Sequence, residues 1–449
     1  MRARTFLFGL STFGGAVVAL GALAQGCTST SPEVHGPSYS FEAGSDDAGA
    51  EDAGAGSDGT TVAVEGGMPE AAVADAPSVS DDASARTDGN VAGDAGAEAG
   101  GCTSLTVLVG GNNSLAFGAS AVGPGAFVTQ DLSSTMGSAP ALAAFGGGLE
   151  ALFASAGASG GPLYGVGFAS GTWSSPVALG ASAVAIDAPA IAVVGGALEG
   201  VYLNPQHLFF KAAFTSVWDT GTSPVEPPND AGPQAFGPVR AAAAGTATDF
   251  VIAYEGNDGH GYAQTWTATA GWDDGVALGS AALLADTPLA IAPLTGGAVD
   301  LVAVYVDGEG AASSNNLHVF FSLRTAQTKA WSAPAMIGAD VYTEAAPSIA
   351  AMSGGGAVVT WLGQSSGVYA SVLSESGGSP SWSDPVQVTA ASPAETASVA
   401  RGVCGDDAIG AYLSDGAVYT THFAGGSWTP PALLVGEAGI TAVAIATSP

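Results

Sequence analysis

Residues 347–388, PSIAAMSGGGAVVTWLGQSSGVYASVLSESGGSPSWSDPVQV, carry the pattern from which the architecture of the chain can be inferred. The stretch divides into four short apolar runs separated by turns rich in glycine and serine. Runs of β-branched and aromatic residues bounded by Gly, Ser, Asn and Pro are typical of strands joined by hairpins. The stretch therefore predicts a unit of four antiparallel strands.

Three landmark residues of this unit recur along the chain in the same order and at similar spacing. A proline opens the first strand, and Ala397 replaces it in the last unit: Pro140, Pro189, Pro238, Pro288 and Pro347, at intervals of 49, 49, 50, 59 and, to Ala397, 50 residues. An aromatic residue closes the second strand: Phe153, Tyr202, Tyr254, Tyr305, Trp361 and Tyr412. A tryptophan opens the fourth strand: Trp173, Trp218, Trp272, Trp331, Trp382 and Trp428. The sequence thus contains six successive copies of one unit.

A four-stranded repeat of about 40–50 residues with periodic aromatics is typical of one blade of a β-propeller. One blade cannot bury its apolar faces alone, so neighbouring blades must pack around an axis. A small residue recurs at the fourth position of the first strand, where the axis leaves little room: Ala143, Ala192, Ala241, Ala350 and Ala400. We therefore predict an all-β propeller over residues 102–449.

The number of blades is predicted to be seven. Six complete units begin at Pro140, and apolar runs remain at both ends: 105–109, 115–119, 127–132 and 440–447. The last run, ITAVAIAT, resembles a first strand, and the other three resemble a second, third and fourth. Joined, they would form a closing blade shared by N-terminal and C-terminal strands, which would leave no exposed sheet edge.

Two cysteines suit this closure. Cys102 would begin a second strand, and Cys404 would lie where the first strand of the neighbouring blade turns into its second. An exported protein favours pairing them, so a Cys102–Cys404 disulfide is expected. The alternative is two unrelated buried thiols.

The N-terminal residues indicate export. Residues 1–26 hold a basic start and an apolar run from about Phe6 to Ala24, a pattern typical of a secretory signal. The segment that ends at Cys27 resembles the lipobox of bacterial lipoproteins, which implies acylation of Cys27. Ala24 stands where that family favours leucine, and the alternative is ordinary cleavage after Ala24. Thr28 instead of aspartate suggests the outer membrane or the cell surface.

The charge distribution limits the partners. Residues 27–101 are mostly Ala, Gly, Ser, Asp and Glu, a composition that predicts a disordered, extended linker. In 102–449, 25 acidic residues face 5 basic ones. An acidic domain argues against nucleic acid and against adsorption to anionic lipids. Membrane contact is expected through the lipid anchor alone, and the domain is expected to be a monomer.

The repeated unit resembles the blades of bacterial sialidase-like and fucose-lectin-like propellers, which also have a second strand ending in an aromatic and a Trp-Ser-x-Pro-Val fourth strand. The resemblance concerns the fold, and propellers carry many functions. A carbohydrate or glycoconjugate is the first choice of ligand, because aromatic faces and carboxylates suit sugar hydroxyls. A protein partner is the second choice, and a sialidase-like glycoside hydrolase acting in the axial pocket is the alternative. No Ser-x-Asp-x-Gly-x-Thr-Trp box is present, and only three arginines lie in the domain, so an enzyme is the less favoured reading.

A candidate ligand site lies at one propeller face. Arg240 is two residues into its first strand, where the other units have apolar residues or alanine, and Asp187 and Asp286 precede two first strands. The aromatics that end the second strands complete the candidate set: Tyr202, Tyr254, Tyr305, Trp361 and Tyr412. The alternatives are a buried Arg240 satisfied by nearby carboxylates, and packing of the aromatics between blades. No cofactor or metal motif is present, and the four histidines of the domain fall in different blades.

Overall fold

The computed structural model describes Thr103–Ser104, Ser120–Ala121 and residues 137–447 with gaps. The gaps are 157–159, 170–171, 220–222, 226–239, 284–286, 307–316, 339–340, 344, 353–354, 364–366, 377–378, 390–393, 403–406 and 436–441. All described residues belong to one compact unit, Asn90–Pro449. Every element assigned to them is a β-strand, which agrees with the predicted all-β class.

Six antiparallel sheets follow one another along the chain, and each matches one predicted unit. We number them as blades 1 to 6. Blade 1 contains β3 (Ala141–Phe145), β4 (Gly148–Ala154), β5 (Gly161–Ala169), β6 (Thr172–Trp173), β7 (Val177–Ala178) and β8 (Val184–Ala185). Blade 2 contains β9 (Ala190–Val194), β10 (Ala197–Leu203), β11 (Phe209–Phe214) and β12 (Ser223–Pro224). Blade 3 contains β13 (Ala242–Gly245), β14 (Asp249–Glu255), β15 (His260–Thr267), β16 (Gly271–Trp272) and β17 (Val276–Ala282).

The second half of the chain repeats this arrangement. Blade 4 contains β18 (Ala290–Pro293), β19 (Val299–Val306), β20 (Val319–Thr325) and β21 (Ala335–Met336). Blade 5 contains β22 (Ser348–Ala351), β23 (Ala357–Leu362), β24 (Val368–Ser376), β25 (Ser379–Trp382) and β26 (Val386–Thr389). Blade 6 contains β27 (Ala394–Arg401), β28 (Ala408–Ser414), β29 (Ala417–Ala424), β30 (Ser427–Trp428) and β31 (Ala432–Val435). The first strands of successive blades pack against each other from β3 to β27.

The prediction of seven blades is wrong, because the described residues form six. Near the N-terminus the structure describes only β1 (Thr103–Ser104) paired with β2 (Ser120–Ala121). The run 440–447, predicted as the first strand of a closing blade, forms no strand in its described part, 442–447. The runs 105–109, 115–119 and 127–132 lie outside the described residues, as do Cys102 and Cys404. The predicted disulfide therefore stays a prediction.

Residues 442–447 are nevertheless buried between blades 1 and 6. Ala446 joins an apolar cluster of blade 1 that contains Leu149 and Phe153. Val443 and Ile445 join a cluster of blade 6 that includes Ile409. The Thr447 hydroxyl also donates a hydrogen bond to the Arg401 carbonyl of blade 6. The apolar pattern of this segment therefore reflects burial, although the segment adds no strand to a sheet.

The aromatic landmarks pair the second and third strands within each blade. Each lies opposite an aromatic of the third strand and stacks on it, with ring planes 13–23° apart: Phe153–Tyr164, Tyr202–Phe210, Tyr254–Tyr262, Tyr305–Phe320, Trp361–Tyr369 and Tyr412–Tyr419. Direct cross-strand aromatic pairs stabilise antiparallel sheets. The recurrence of this pair explains why an aromatic closes every second strand.

A buried ionic cluster joins blades 3 and 4. The Arg324 side chain is fully buried and donates two hydrogen bonds of 2.9 Å to the two carboxylate oxygens of Asp300. It donates a third, also 2.9 Å, to Asp249 of blade 3. Lys329 Nζ lies 2.7 Å from Asp300 and 3.1 Å from Asp249. Burial raises the pKa of both carboxyls, but other contacts outweigh it and hold each pKa below its usual value. For Asp249 these contacts are a hydrogen bond from Thr248 and then Lys329 and Arg324, and for Asp300 they are Arg324 and Lys329.

Candidate functional site

The first strands of the blades surround a cavity of about 370 Å³ on the propeller axis. Its lining includes landmark positions of the repeat, Pro140, Pro189, Pro288, Pro347 and Ala397. The lining is made almost entirely of alanine, proline, leucine and isoleucine, because the starts of the first strands face one another there. The repeat therefore builds a pocket with apolar walls at one end of the axis.

Arg240 is the one charged residue among the described residues that line this cavity. It precedes β13 and is partly exposed, whereas the equivalent residues Leu142, Ile191 and Ile349 present apolar side chains to the same cavity. The described residues supply no hydrogen bond or ion pair to its guanidinium group. A planar group with five N–H donors in apolar surroundings is suited to bind a carboxylate or several hydroxyl groups.

Asp187 lies close to Arg240 but contacts its backbone. One carboxylate oxygen accepts a hydrogen bond of 3.1 Å from the Arg240 amide, and the other accepts one of 2.6 Å from the Ala188 amide. The carboxylate thus ties the segment before β9 to the start of blade 3. Asp286 lies outside the described residues.

The five aromatic candidates are far from any surface. Tyr202, Tyr254, Tyr305, Trp361 and Tyr412 are each at most 2% exposed. Burial is also the main cause that raises the pKa of Tyr202, to about 12, and of Tyr254. Their rings fill the space between blades, so in this structure they offer no face on which a sugar could stack.

Among the described residues, the axial cavity brings no carboxylates together. Its described lining contains neither aspartate nor glutamate. Hydrolysis of a glycosidic bond usually requires two carboxyl groups about 5–9 Å apart. In the part of the chain that the structure describes, no group of three His, Cys, Asp or Glu residues could hold a metal ion.

Polar loop residues near this face stabilise turns. Asn204 Oδ1 accepts hydrogen bonds from the amides of Gln206 and Leu208, at 3.0 and 2.9 Å. The Asp258 carboxylate accepts hydrogen bonds from the His260 amide and the Tyr262 hydroxyl, at 3.0 and 2.6 Å. These contacts are typical of side chains that cap turns.

Sequence reasoning missed a second pocket, of about 290 Å³, between blades 1 and 2. Glu150 of β4 lies on one wall, and Phe214 and Trp218 of blade 2 lie on the other. Burial raises the pKa of Glu150 to about 7. On β5 this pocket is lined by Gly165 and Gly167, which lie opposite Leu152 and Glu150, and a Cβ atom on Gly167 would lie 2.7 Å from Glu150 Oε1. Comparing the six units position by position would have revealed both the carboxylate and the missing side chains.

Several solved structures resemble this fold. A protein from Lactobacillus plantarum is 10% identical over 77% of this chain and 99% of its own, with a TM-score of 0.52. The fucose-specific lectin from Aleuria aurantia is 15% identical over 69% and 97% of the two chains, with a TM-score of 0.42. AofleA from Arthrobotrys oligospora is 15% identical over 68% and 89%, with a TM-score of 0.45. At these identities the likeness concerns the fold alone, and the two scores below 0.5 add nothing about a site.

At the level of sequence, no family model matches the chain, and no curated protein matches it. The described residues contain no helix of the length and hydropathy needed to cross a membrane.

Proposed function

We propose that this protein is an exported, membrane-anchored binding module that recognises a carbohydrate at the propeller face where the axial cavity opens. The observation that carries the proposal is the cavity itself, with one guanidinium group in an apolar lining. Ligand pockets are commonly about 300–1,000 Å³, mostly apolar, with a few polar groups that orient the ligand. The axial cavity has these properties.

The chemistry of the cavity favours a sugar with an acidic or hydroxyl-rich edge. Arg240 can donate two parallel hydrogen bonds to a carboxylate or to adjacent hydroxyls. The alanine and proline walls can contact the apolar C–H face of a sugar ring. A protein partner is the second candidate, since the excess of acidic residues in the domain would attract a basic surface.

Arg240→Ala is expected to weaken glycan binding by about 10- to 100-fold, the range for losing charge-assisted hydrogen bonds. The full chain and the variant would be compared on a glycan array, followed by titration of the strongest ligand. The variant keeps the backbone amide that binds Asp187, so the fold should be unchanged. Arg401→Ala is the matched control, because this exposed arginine ends β27 and lies outside the cavity lining.

The outcomes distinguish the candidates. Loss of glycan binding in Arg240→Ala, with Arg401→Ala unchanged, supports carbohydrate recognition in the axial cavity. A silent array together with a specific protein partner recovered by the full chain would reject carbohydrate as the ligand. Equal binding by both variants would place recognition away from this cavity.

The anchor is proposed to be a lipid on Cys27, which would hold the propeller at the outer membrane or cell surface. The support is the lipobox-like segment that ends at Cys27. Globomycin is expected to accumulate the unprocessed protein, and Cys27→Ser is expected to block maturation, both visible by gel mobility. Normal maturation of Cys27→Ser would instead favour cleavage after Ala24.

A further inference from the structure

The interface between blades 1 and 2 and the interface between blades 2 and 3 each contain a glutamate at the same position of the repeat. Glu150 of β4 and Glu199 of β10 are each three residues before the aromatic that closes the second strand. Both side chains point toward the next blade, as do Leu152 in blade 1 and Val201 in blade 2. Blades 3 to 6 have Val251, Val302, Val358 and Ile409 at this position. Glu150 and Glu199 are therefore structural equivalents.

The chain neutralises one of these carboxylates with its own cation. Lys211 of β11 lies opposite Val201 and forms a buried ion pair with Glu199. Its Nζ lies 3.8 Å from the centre of a Trp266 ring in blade 3. A carboxylate and an aromatic face together thus bind an ammonium group between blades 2 and 3.

Blade 1 lacks this cation at the equivalent position. The partner of Leu152 in β5 is Gly165, so Gly165 occupies the place of Lys211. The described residues give the Glu150 carboxylate no hydrogen bond and no ion pair. The aromatic wall is retained, because Phe214 is the equivalent of Trp266 and Trp218 lies beside it, with ring centres 5.4 Å apart. The cavity between blades 1 and 2 thus has the carboxylate and aromatic side chains of a cation site without the lysine.

The edge of the cavity offers an entry for an occupant from outside. A Cβ atom on Gly165 would lie 2.2 Å from Trp218 Cδ1, so the Trp218 ring covers the position equivalent to the one from which Lys211 extends in blade 2, and an occupant cannot follow that path. Val177 and Val217 at the cavity edge remain 59% and 63% exposed, which leaves apolar surface for an alkyl stem.

We propose that the cavity between blades 1 and 2 binds a primary alkylammonium group, either a lysine side chain of another protein or a free amine, between Glu150 and the aromatic pair Phe214–Trp218. Its ammonium group would neutralise Glu150 as Lys211 neutralises Glu199 in blade 2. This site is separate from the axial cavity, and it does not depend on the function proposed there.

Binding should depend on pH in a defined direction. Among the described residues that line the cavity, from β4, β5, β7 and the Phe214–Trp218 turn, Glu150 is the only titratable one. Asp219, which follows Trp218, accepts a hydrogen bond from the Ala213 amide and is not part of the lining. Since the raised pKa of Glu150 is about 7, the free site is protonated below that pH. An ammonium ligand would then displace a proton, so its affinity should fall as the pH falls.

The test is isothermal titration of the full chain with n-butylammonium chloride. We expect a Kd of about 0.1–10 mM at pH 8, typical of a ligand with so few atoms. Affinity should fall by up to about tenfold for each pH unit below 7, and binding at pH 6 should release a proton to the buffer. Butan-1-ol, which lacks the charge, should bind at least about tenfold more weakly.

Glu150→Gln should reduce butylammonium affinity at pH 8 by at least about tenfold and abolish its pH dependence. Asp384→Asn is the matched control, because it removes one negative charge from an exposed position in blade 5. Two further ligands distinguish the two sources. Tighter binding of Nα-acetyl-lysine methylamide would indicate a lysine side chain of another protein, and tighter binding of 1,4-diaminobutane would indicate a free amine. Equal affinity for butan-1-ol, no dependence on pH, or unchanged binding by Glu150→Gln would overturn the proposal, as would no binding at all.

Discussion

Arg324→Ala is expected to lower the free energy of unfolding by about 3–5 kcal/mol, the range for breaking a buried ion pair by removing one partner. The substitution would leave the carboxylates of Asp249 and Asp300 facing each other between blades 3 and 4, with only the partly exposed Lys329 to offset them. Urea unfolding at pH 7, followed by tryptophan fluorescence, would measure the change.

The pH dependence of this loss follows from the two carboxyls. Their pKa values are lowered in the folded protein, so their contribution is present above the unfolded pKa, near 4, and is lost as the pH falls through the folded values. The difference between Arg324→Ala and the parent should therefore shrink below about pH 4. Arg401→Ala, an exposed arginine, is the control and should change stability by less than about 0.5 kcal/mol. If Arg324→Ala also changed the free energy of unfolding by no more than the Arg401→Ala control, the ionic cluster would add nothing to stability.

Deleting residues 439–449 is the second large effect, with an expected loss of about 4–6 kcal/mol. Fully burying a valine or isoleucine side chain contributes about 1.5–3 kcal/mol, and the deletion removes Val443, Ile445 and Ala446 together. It also exposes the faces of blades 1 and 6 that these side chains cover. Thermal unfolding of the truncated and parent chains would measure the loss.

Removing only residues 448–449 is the matched control for this deletion, because it retains the buried segment 442–447. The control should unfold within a few degrees of the parent. If the chain without residues 439–449 were as stable as the parent, the burial of segment 442–447 between the blades would contribute nothing to the free energy of unfolding.

The six units could be predicted because their signals are local. The proline, the stacked aromatic and the tryptophan of each unit lie within one set of consecutive hairpins, and each marks a strand pairing between neighbours in sequence. The seventh blade required strands from both ends of the chain to pair. An apolar run such as 442–447 shows that side chains are buried, but alternation alone does not identify a strand partner. The structure buries this run without adding it to a sheet.

For the candidate sites, too, local features could be predicted, whereas features that depend on a neighbouring blade could not. The position of Arg240 in the axial cavity could be predicted, because the start of every first strand faces the axis. The burial of Tyr202 and its equivalents depends on the neighbouring blade, and only the alternative of packing between blades anticipated it. The pocket at Glu150 was missed because part of its lining consists of residues without side chains, Gly165 and Gly167. A search for charged, aromatic or metal-binding residues does not detect a pocket of this kind.

The position of residues 442–447 also bears on how the protein emerges from the ribosome. Each blade is a meander of neighbouring strands, so it can form as soon as its own residues have been made. Blade 1 is synthesised first, yet its outer apolar face, with Leu149 and Phe153, is covered by Ala446, about 300 residues later. A nascent chain that ends before this segment therefore lacks the side chain that covers this face of blade 1. Such a face is a surface that chaperones and proteases can use to distinguish unfinished chains from finished ones.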